Sequence, residues 1–113
     1  SDLSWGVSIP GVFHVSFWFI PNQITTSIIW TASGAGVSLL VGFDAAVGSF
    51  FLEDHLFNRI VVPYPVSVSD RICVGVCQTA TERRLFVGKM GGDVQSANSP
   101  LQPTAGYTVL RLY

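Results

Sequence analysis

Residues 71 to 90 read RICVGVCQTATERRLFVGKM, and the fold is decided by how this stretch is understood. Apolar side chains alternate through Ile72, Val74 and Val76, a polar turn follows at Thr79 to Arg83, and alternation resumes through Leu85 and Val87. Period-two alternation on both sides of a short polar turn is the mark of a β-hairpin. Charge is concentrated here as well, in Arg71, Glu82, Arg83, Arg84 and Lys89. The hairpin is predicted to occupy the middle of one sheet.

The same period extends outward in both directions. Trp5, Val7 and Ile9 alternate ahead of a Pro10-Gly11 turn. In Val12 to Ile20, VFHVSFWFI, one face carries Phe13, Val15, Phe17 and Phe19, and the other carries Val12, His14, Ser16, Trp18 and Ile20. Both faces are largely apolar, which predicts a central strand covered on both sides or a strand whose outer face meets a partner. His14 is then expected to be a wall residue. Ser27 to Ala32 and Val37 to Phe43 form two strands joined by Ser33-Gly34-Ala35-Gly36, a hairpin turn; with no lysine or helix pattern after the glycines it is no phosphate loop. A turn at Asp44 to Gly48 leads to a strand at Ser49 to Glu53, and another strand follows at Ile60 to Val62. Pro63 and Pro65 end that pairing or place it at an edge, since proline cannot donate to a ladder. After Met90, GGDVQSANSPLQPT is predicted as a surface loop, and Gly106 to Tyr113 as the last strand. About nine short strands with no helical period predict an all-β fold, an antiparallel two-sheet sandwich of jelly-roll type, as a single domain over 1–113.

Composition narrows the function classes. Seven acids against six bases give a net charge of -1, which argues against nucleic acid and against an anionic membrane surface, both of which need a basic face. Charged residues make up 12% of the chain, about half the ~25% usual in soluble domains. None occurs between Leu3 and Phe43. So apolar a small domain is expected to meet a protein partner or to assemble as a homo-oligomer. No apolar run reaches the ~18 residues of a membrane-spanning helix.

Reaction chemistry is sparse. Cys73 and Cys77 lie four apart in one strand, about 13 Å at ~3.3 Å per residue, beyond the ~7 Å reach of a disulfide. They are expected to be small buried hydrophobes or to bond another chain. With His14 and His55 scattered, they make no zinc pattern. Glu53 and Asp54 are adjacent, so they face opposite ways and cannot flank one glycosidic bond; they read as solubilising charges. No G-x-S-x-G elbow occurs. The expectation is a protein without enzymatic activity. Candidate binding residues are Trp18, Trp30, Tyr64 and Tyr107, as core or interface aromatics, and Glu82, Arg83 and Arg84, as a solvated hairpin tip or a small polar contact spot.

Over about residues 12 to 112 the chain resembles the concanavalin A-like jelly-roll superfamily, in particular its laminin-G and pentraxin branches. Phe13 to Phe19, FHVSFWF, matches the F-x-V-x-F-x-F strand that opens their core. Arg71 to Val76 and Phe86 to Lys89 stand where that group has H-x-C-x-[ST]-W and a W-V-D-G-K-like strand. Only Cys73 of the first set is kept, and Ser16 stands where its usual disulfide partner would be. The resemblance implies calcium sites built from an Asp-Asn pair and a Glu-Gln-Asp run. Here Gly34-Ala35-Gly36 fills the first place and the chain stops before the second, so no calcium or other cofactor is expected. The chain also stops before the group's closing strands, which predicts an uncovered edge. What the resemblance implies is a non-catalytic interaction module in an extracellular or cell-surface protein. Two alternatives accompany it. One is a carbohydrate-binding lectin-type domain, for which His55, Asn58 and Arg59 give a displaced echo of the galectin H-x-N-x-R site. The other is an intracellular peptide-binding module, since VSVSDRICVGVCQTATERR and SPLQPTAGYTVLRL resemble stretches of SPRY domains.

Overall fold

The computed structural model describes residues 3–9, 12–34, 36–100 and 106–113, with residues 3–9 apart from Gly6 described through their backbone. Among the described residues there are ten strands and no helix. They are β1 (Leu3–Ile9), β2 (Phe13–Phe19), β3 (Ser27–Gly34), β4 (Val37–Asp44), β5 (Ser49–Asp54), β6 (Arg59–Pro63), β7 (Ile72–Gln78), β8 (Glu82–Lys89), β9 (Val94–Pro100) and β10 (Tyr107–Leu112). Every pairing is antiparallel. A six-stranded sheet runs β1-β10-β3-β4-β5-β6, and a four-stranded sheet runs β2-β7-β8-β9. The predicted hairpin is β7–β8, in the middle of the smaller sheet.

The core lies between the two layers. Trp30, Leu39, Val41, Phe50 and Leu52 fill it from the larger sheet, and Ile72, Val74, Val76, Leu85 and Val87 from the smaller one, all buried. Burial of ten such side chains, at roughly 1.5–3 kcal/mol each, is the main force holding the layers together. Tyr64 closes one end. Its hydroxyl donates to the Asp93 carbonyl and accepts the Lys89 N–H at 3.0 Å, tying the segment after β6 to the β8–β9 turn.

Three expectations need correction. The stretch from Val94 to Pro100, read as loop, is the edge strand β9. Its pattern is hidden because the strand is mostly polar and exposed, with only Ala97 packing inward against the core. Residues 101–104 of that predicted loop lie outside the described residues. Secondly, of the two readings of the β2 segment, the central strand covered on both sides does not hold: among the described residues β2 is an edge strand of the smaller sheet, and its outward His14, Ser16 and Trp18 are exposed. Thirdly, Cys73 and Cys77 are half-buried free thiols on the outer face of the smaller sheet, opposite Trp18 and His14, instead of core residues. The proline reading matches the structure, with Pro63 ending β6 at the edge of the larger sheet.

Replacing Tyr64 with Phe removes the acceptor for the Lys89 N–H and the donor to Asp93. Unfolding in urea is expected to show a loss of about 1–3 kcal/mol with an unchanged denaturant slope.

Candidate functional site

The outer face of the smaller sheet is set by strand register. Three rows cross it: His14, Cys77, Arg84 and Asn98; Ser16, Gly75, Phe86 and Ser96; Trp18, Cys73, Gly88 and Val94. Glycines at the centre of the second and third rows lower the floor. A Cβ on Gly75 would stand 2.9 Å from the Ser16 Cβ, and one on Gly88 2.9 Å from the Val94 Cγ2. The result is an apolar furrow of about 280 Å³ walled by His14, Trp18, Phe86 and Val94, with Cys73 in its floor. Trp18 is 61% exposed, and the His14 and Phe86 rings lie 5.8 Å apart between centroids.

Beside the furrow runs a polar rail. The Asn98 amide donates to Glu82 Oε2 at 2.6 Å, Arg84 Nη1 donates to Ser96 Oγ at 3.2 Å, and Arg84 Nη2 lies 3.7 Å from Glu82 Oε1. These groups are partly solvated, so they contribute little to stability. What they supply is a fixed array of donors and acceptors next to an aromatic wall.

The structure separates the candidate residues. Trp18, Glu82 and Arg84 share this face, whereas Trp30, Tyr64, Arg83 and Tyr107 are buried. Trp30 packs on Phe17 with centroids 5.9 Å apart, and Tyr107 meets Phe13 edge-on at 5.7 Å. Arg83 is no part of a solvated tip. Its guanidinium lies between the sheets, with Nη1 3.3 Å from Asp54 Oδ2 and Nε donating to Gln78 Oε1 at 2.8 Å. Asp54, read as a solubilising charge, is likewise buried. Strand parity contained the signal for both: counting back by twos from Val87 and Leu85 gives Arg83 inward, and counting on from Phe50 and Leu52 gives Asp54 inward.

Asp54 also builds the turn that follows it. Its Oδ1 accepts the N–H groups of Leu56 at 2.9 Å and Asn58 at 3.0 Å, and its Oδ2 accepts the Asn58 amide at 3.1 Å. Asn58 of the galectin-like echo is therefore consumed inside a turn. Burial pushes the Asp54 carboxyl up, but the bonds from Asn58, from the Leu56 N–H and from Arg83 outweigh it and leave it below the ordinary aspartate value. Burial raises the Tyr107 phenol beside Arg83. The turn holds Phe57 at φ 64° with 82% of its surface exposed. A left-handed backbone is costly for a residue with a side chain, so Leu56 and Phe57 are displayed at the expense of local strain.

Two tests follow from this end of the sandwich. Asp54→Asn strands a buried guanidinium and is expected to lower stability by about 3–5 kcal/mol. Because the folded carboxyl sits below its unfolded value, its contribution is complete above the unfolded pKa and disappears as pH falls through the folded one. Urea titrations below pH 4 are expected to show the native protein losing stability more steeply than Asp54→Asn does. Phe57→Gly removes an exposed ring and relieves the positive φ, so it is expected to raise the melting temperature, by an amount equivalent to up to about 1 kcal/mol. Phe57→Ala, still strained, leaves it nearly unchanged.

No protein-family model matches the chain, and no curated protein matches it in sequence. Its shape does find solved structures. The LG1–3 region of the laminin α2 chain superposes at TM-score 0.74 with 11% identity, covering 98% of this chain and 24% of that one. The native heptameric SAP-like pentraxin from Limulus polyphemus gives 0.62 with 10% identity, covering 98% and 56%. The chain thus spans about a quarter of the first and just over half of the second. Two antiparallel sheets, the β2-β7-β8-β9 order of the smaller one and these two likenesses together give the chain the concanavalin A-like jelly-roll fold, as laminin LG domains and pentraxins have it.

Proposed function

We propose that the chain is a non-catalytic recognition module of an extracellular protein, and that it binds a protein partner on the outer face of its smaller sheet. The observation that carries this reading is Trp18, 61% exposed at the wall of a glycine-floored furrow. A large aromatic left in water beside an apolar depression is the kind of residue that dominates interface energies. A polar rail along one side of an apolar depression also suits the arrangement of an interface core and its rim. The secreted or extracellular nature of the laminin and pentraxin neighbours supports the location. A binding role rather than a catalytic one is supported by the fate of the two adjacent acids. Asp54 is locked in its turn and ion pair, and Glu53 faces the other way onto Arg59 at 3.0 Å.

A lectin-type role is the second reading. It is favoured by the interlocked Glu82, Arg84 and Asn98 beside an exposed tryptophan, a pairing of polar groups and aromatic surface suited to a sugar ring.

The isolated chain, probed against panels of recombinant ectodomains and of immobilised glycans, separates the two. Ectodomain binding that falls at least thirtyfold in Trp18→Ser, while Val47→Ser in the distant β4–β5 turn leaves it intact, is the expected result. Glycan binding lost in both Trp18→Ser and Asn98→Ala would replace the protein partner with a sugar. Binding indifferent to Trp18 removes this face from the function.

A further inference from the structure

The outer face of the smaller sheet does not stop at the furrow. One row further on, two residues away from Trp18, Cys73 and Gly88, come Ile20, Arg71 and Met90. The Met90 N–H donates to the Arg71 carbonyl at 3.0 Å and keeps β7 and β8 together at this end. Here lies a second hollow, of about 420 Å³, lined by Trp18, Phe19, Ile20, Arg71 and Met90. Trp18 is a wall of both depressions. Ile20 and Met90 are 57% and 62% exposed, so the apolar patch continues past the furrow. Tryptophan, methionine and arginine side by side are the residue types in which protein interfaces are enriched.

Charge gives this patch a direction. Among the described residues Arg59, Arg83, Arg84 and Lys89 each face a carboxylate at 3.0 to 3.8 Å, and Arg111 lies over the Tyr113 ring at 4.8 Å. The exposed Arg71 guanidinium has no hydrogen bond, ion pair or ring contact among them. Its neighbour in sequence, Asp70, is taken by the Ser67 N–H at 2.9 Å and by Lys89. Glu82 belongs to the opposite end of the face, where Arg84 and Asn98 hold it. An unneutralised guanidinium at the border of an apolar hollow is complementary to a carboxylate, which it can bind through two parallel N–H groups.

We infer that the partner protein sets a large apolar side chain in the furrow and a carboxylate on Arg71, from residues two apart in one extended segment that crosses Trp18. This deepens the function proposed above and rests on it. The spacing comes from the sheet: neighbouring rows lie about 7 Å apart, as do side chains i and i+2 on one face of an extended chain. A sugar acid fits the place less well, since its hydroxyls would lie against Ile20 and Met90 without partners. A second copy of the chain does not supply the pair either. Of the described acids, Glu53, Asp54, Asp70 and Glu82 are paired with bases, and Asp44 accepts the Ala46 N–H. Asp93 remains, but the residues two away from it are Gly91 and Gln95, neither of them a large apolar one.

The probe is a phage-displayed library of random dodecapeptides, selected on the wild-type chain and depleted on Trp18→Ser. Recovered peptides are expected to share an aspartate or glutamate two positions from a leucine, phenylalanine or tryptophan. Arg71→Gln, at an exposed residue without side-chain partners, is expected to weaken them about fivefold to tenfold and to flatten the salt dependence of binding. Selection on Arg71→Glu is expected to return lysine or arginine in place of the acid. Trp18-dependent peptides without an acid, or affinity unchanged in Arg71→Gln, overturn the inference and leave the furrow as the binding face. A library without any Trp18-dependent peptide overturns it as well, and whether the furrow itself fails is read separately from the ectodomain panel. An oligouronate that binds through Arg71 where no peptide does, or self-association in light scattering that Arg71→Glu abolishes, overturns it in favour of a sugar or a second copy.

Discussion

One ion pair joins the two layers at the end where the strands turn. Asp54 belongs to the larger sheet and Arg83 to the smaller, and each side chain keeps only 5–6% of its exposure. Neither charge is tolerable there alone. The desolvation cost is met by the pair together with Gln78, Asn58 and two backbone amides, so the carboxylate and the guanidinium Nε are each held by further partners. The arrangement fixes more than a distance. It sets the inward register of β8, which places Glu82 and Arg84 on the opposite face, and it shapes the turn that displays Leu56 and Phe57. Apolar packing holds the sheets together, while this pair specifies how they are aligned.

The second constraint is unequal width. Among the described residues six strands face four, so within them part of the larger sheet's apolar face is less covered. That inequality accounts for the half-exposed phenylalanines of β2, which lie along an edge without Asp, Glu, Lys or Arg. The outer face of the smaller sheet is a different kind of surface. It is shaped by glycines, and its chemistry changes from aromatic to polar within three rows.

Much of this was legible in the sequence, and what was not had physical reasons. The β7–β8 hairpin stood out because Ile72, Val74, Val76, Leu85 and Val87 on its inward face are all aliphatic. Trp18 could be assigned a face by parity with Phe17 and Phe19, although not an exposure, since an edge strand and a central one carry the same pattern. β9 was missed because a solvated edge strand has almost no apolar face to alternate. Arg83 was misjudged because a charged residue at a hairpin tip is usually in water, and only its distant partner, Asp54, makes the interior tolerable. Tyr64 and Tyr107 were ambiguous for a similar reason: a tyrosine is buried or exposed according to whether its hydroxyl finds partners, and those lie 25 or more residues away for Tyr64.

The order in which strands pair has a consequence for biogenesis. Among the described residues β1 pairs with β10 and β2 with β7, which follows it by roughly fifty residues. At ribosomal speeds of about 5–20 residues per second, β2 emerges several seconds before any strand exists to receive it. Within the charge-free stretch, β3 and β4 pair at once as a hairpin, whereas β1 and β2 wait longest unpaired, and β1 is seated only when β10 arrives. Such a topology makes folding slow compared with helical bundles, because the contacts that seat β1 and β2 join residues far apart in the chain.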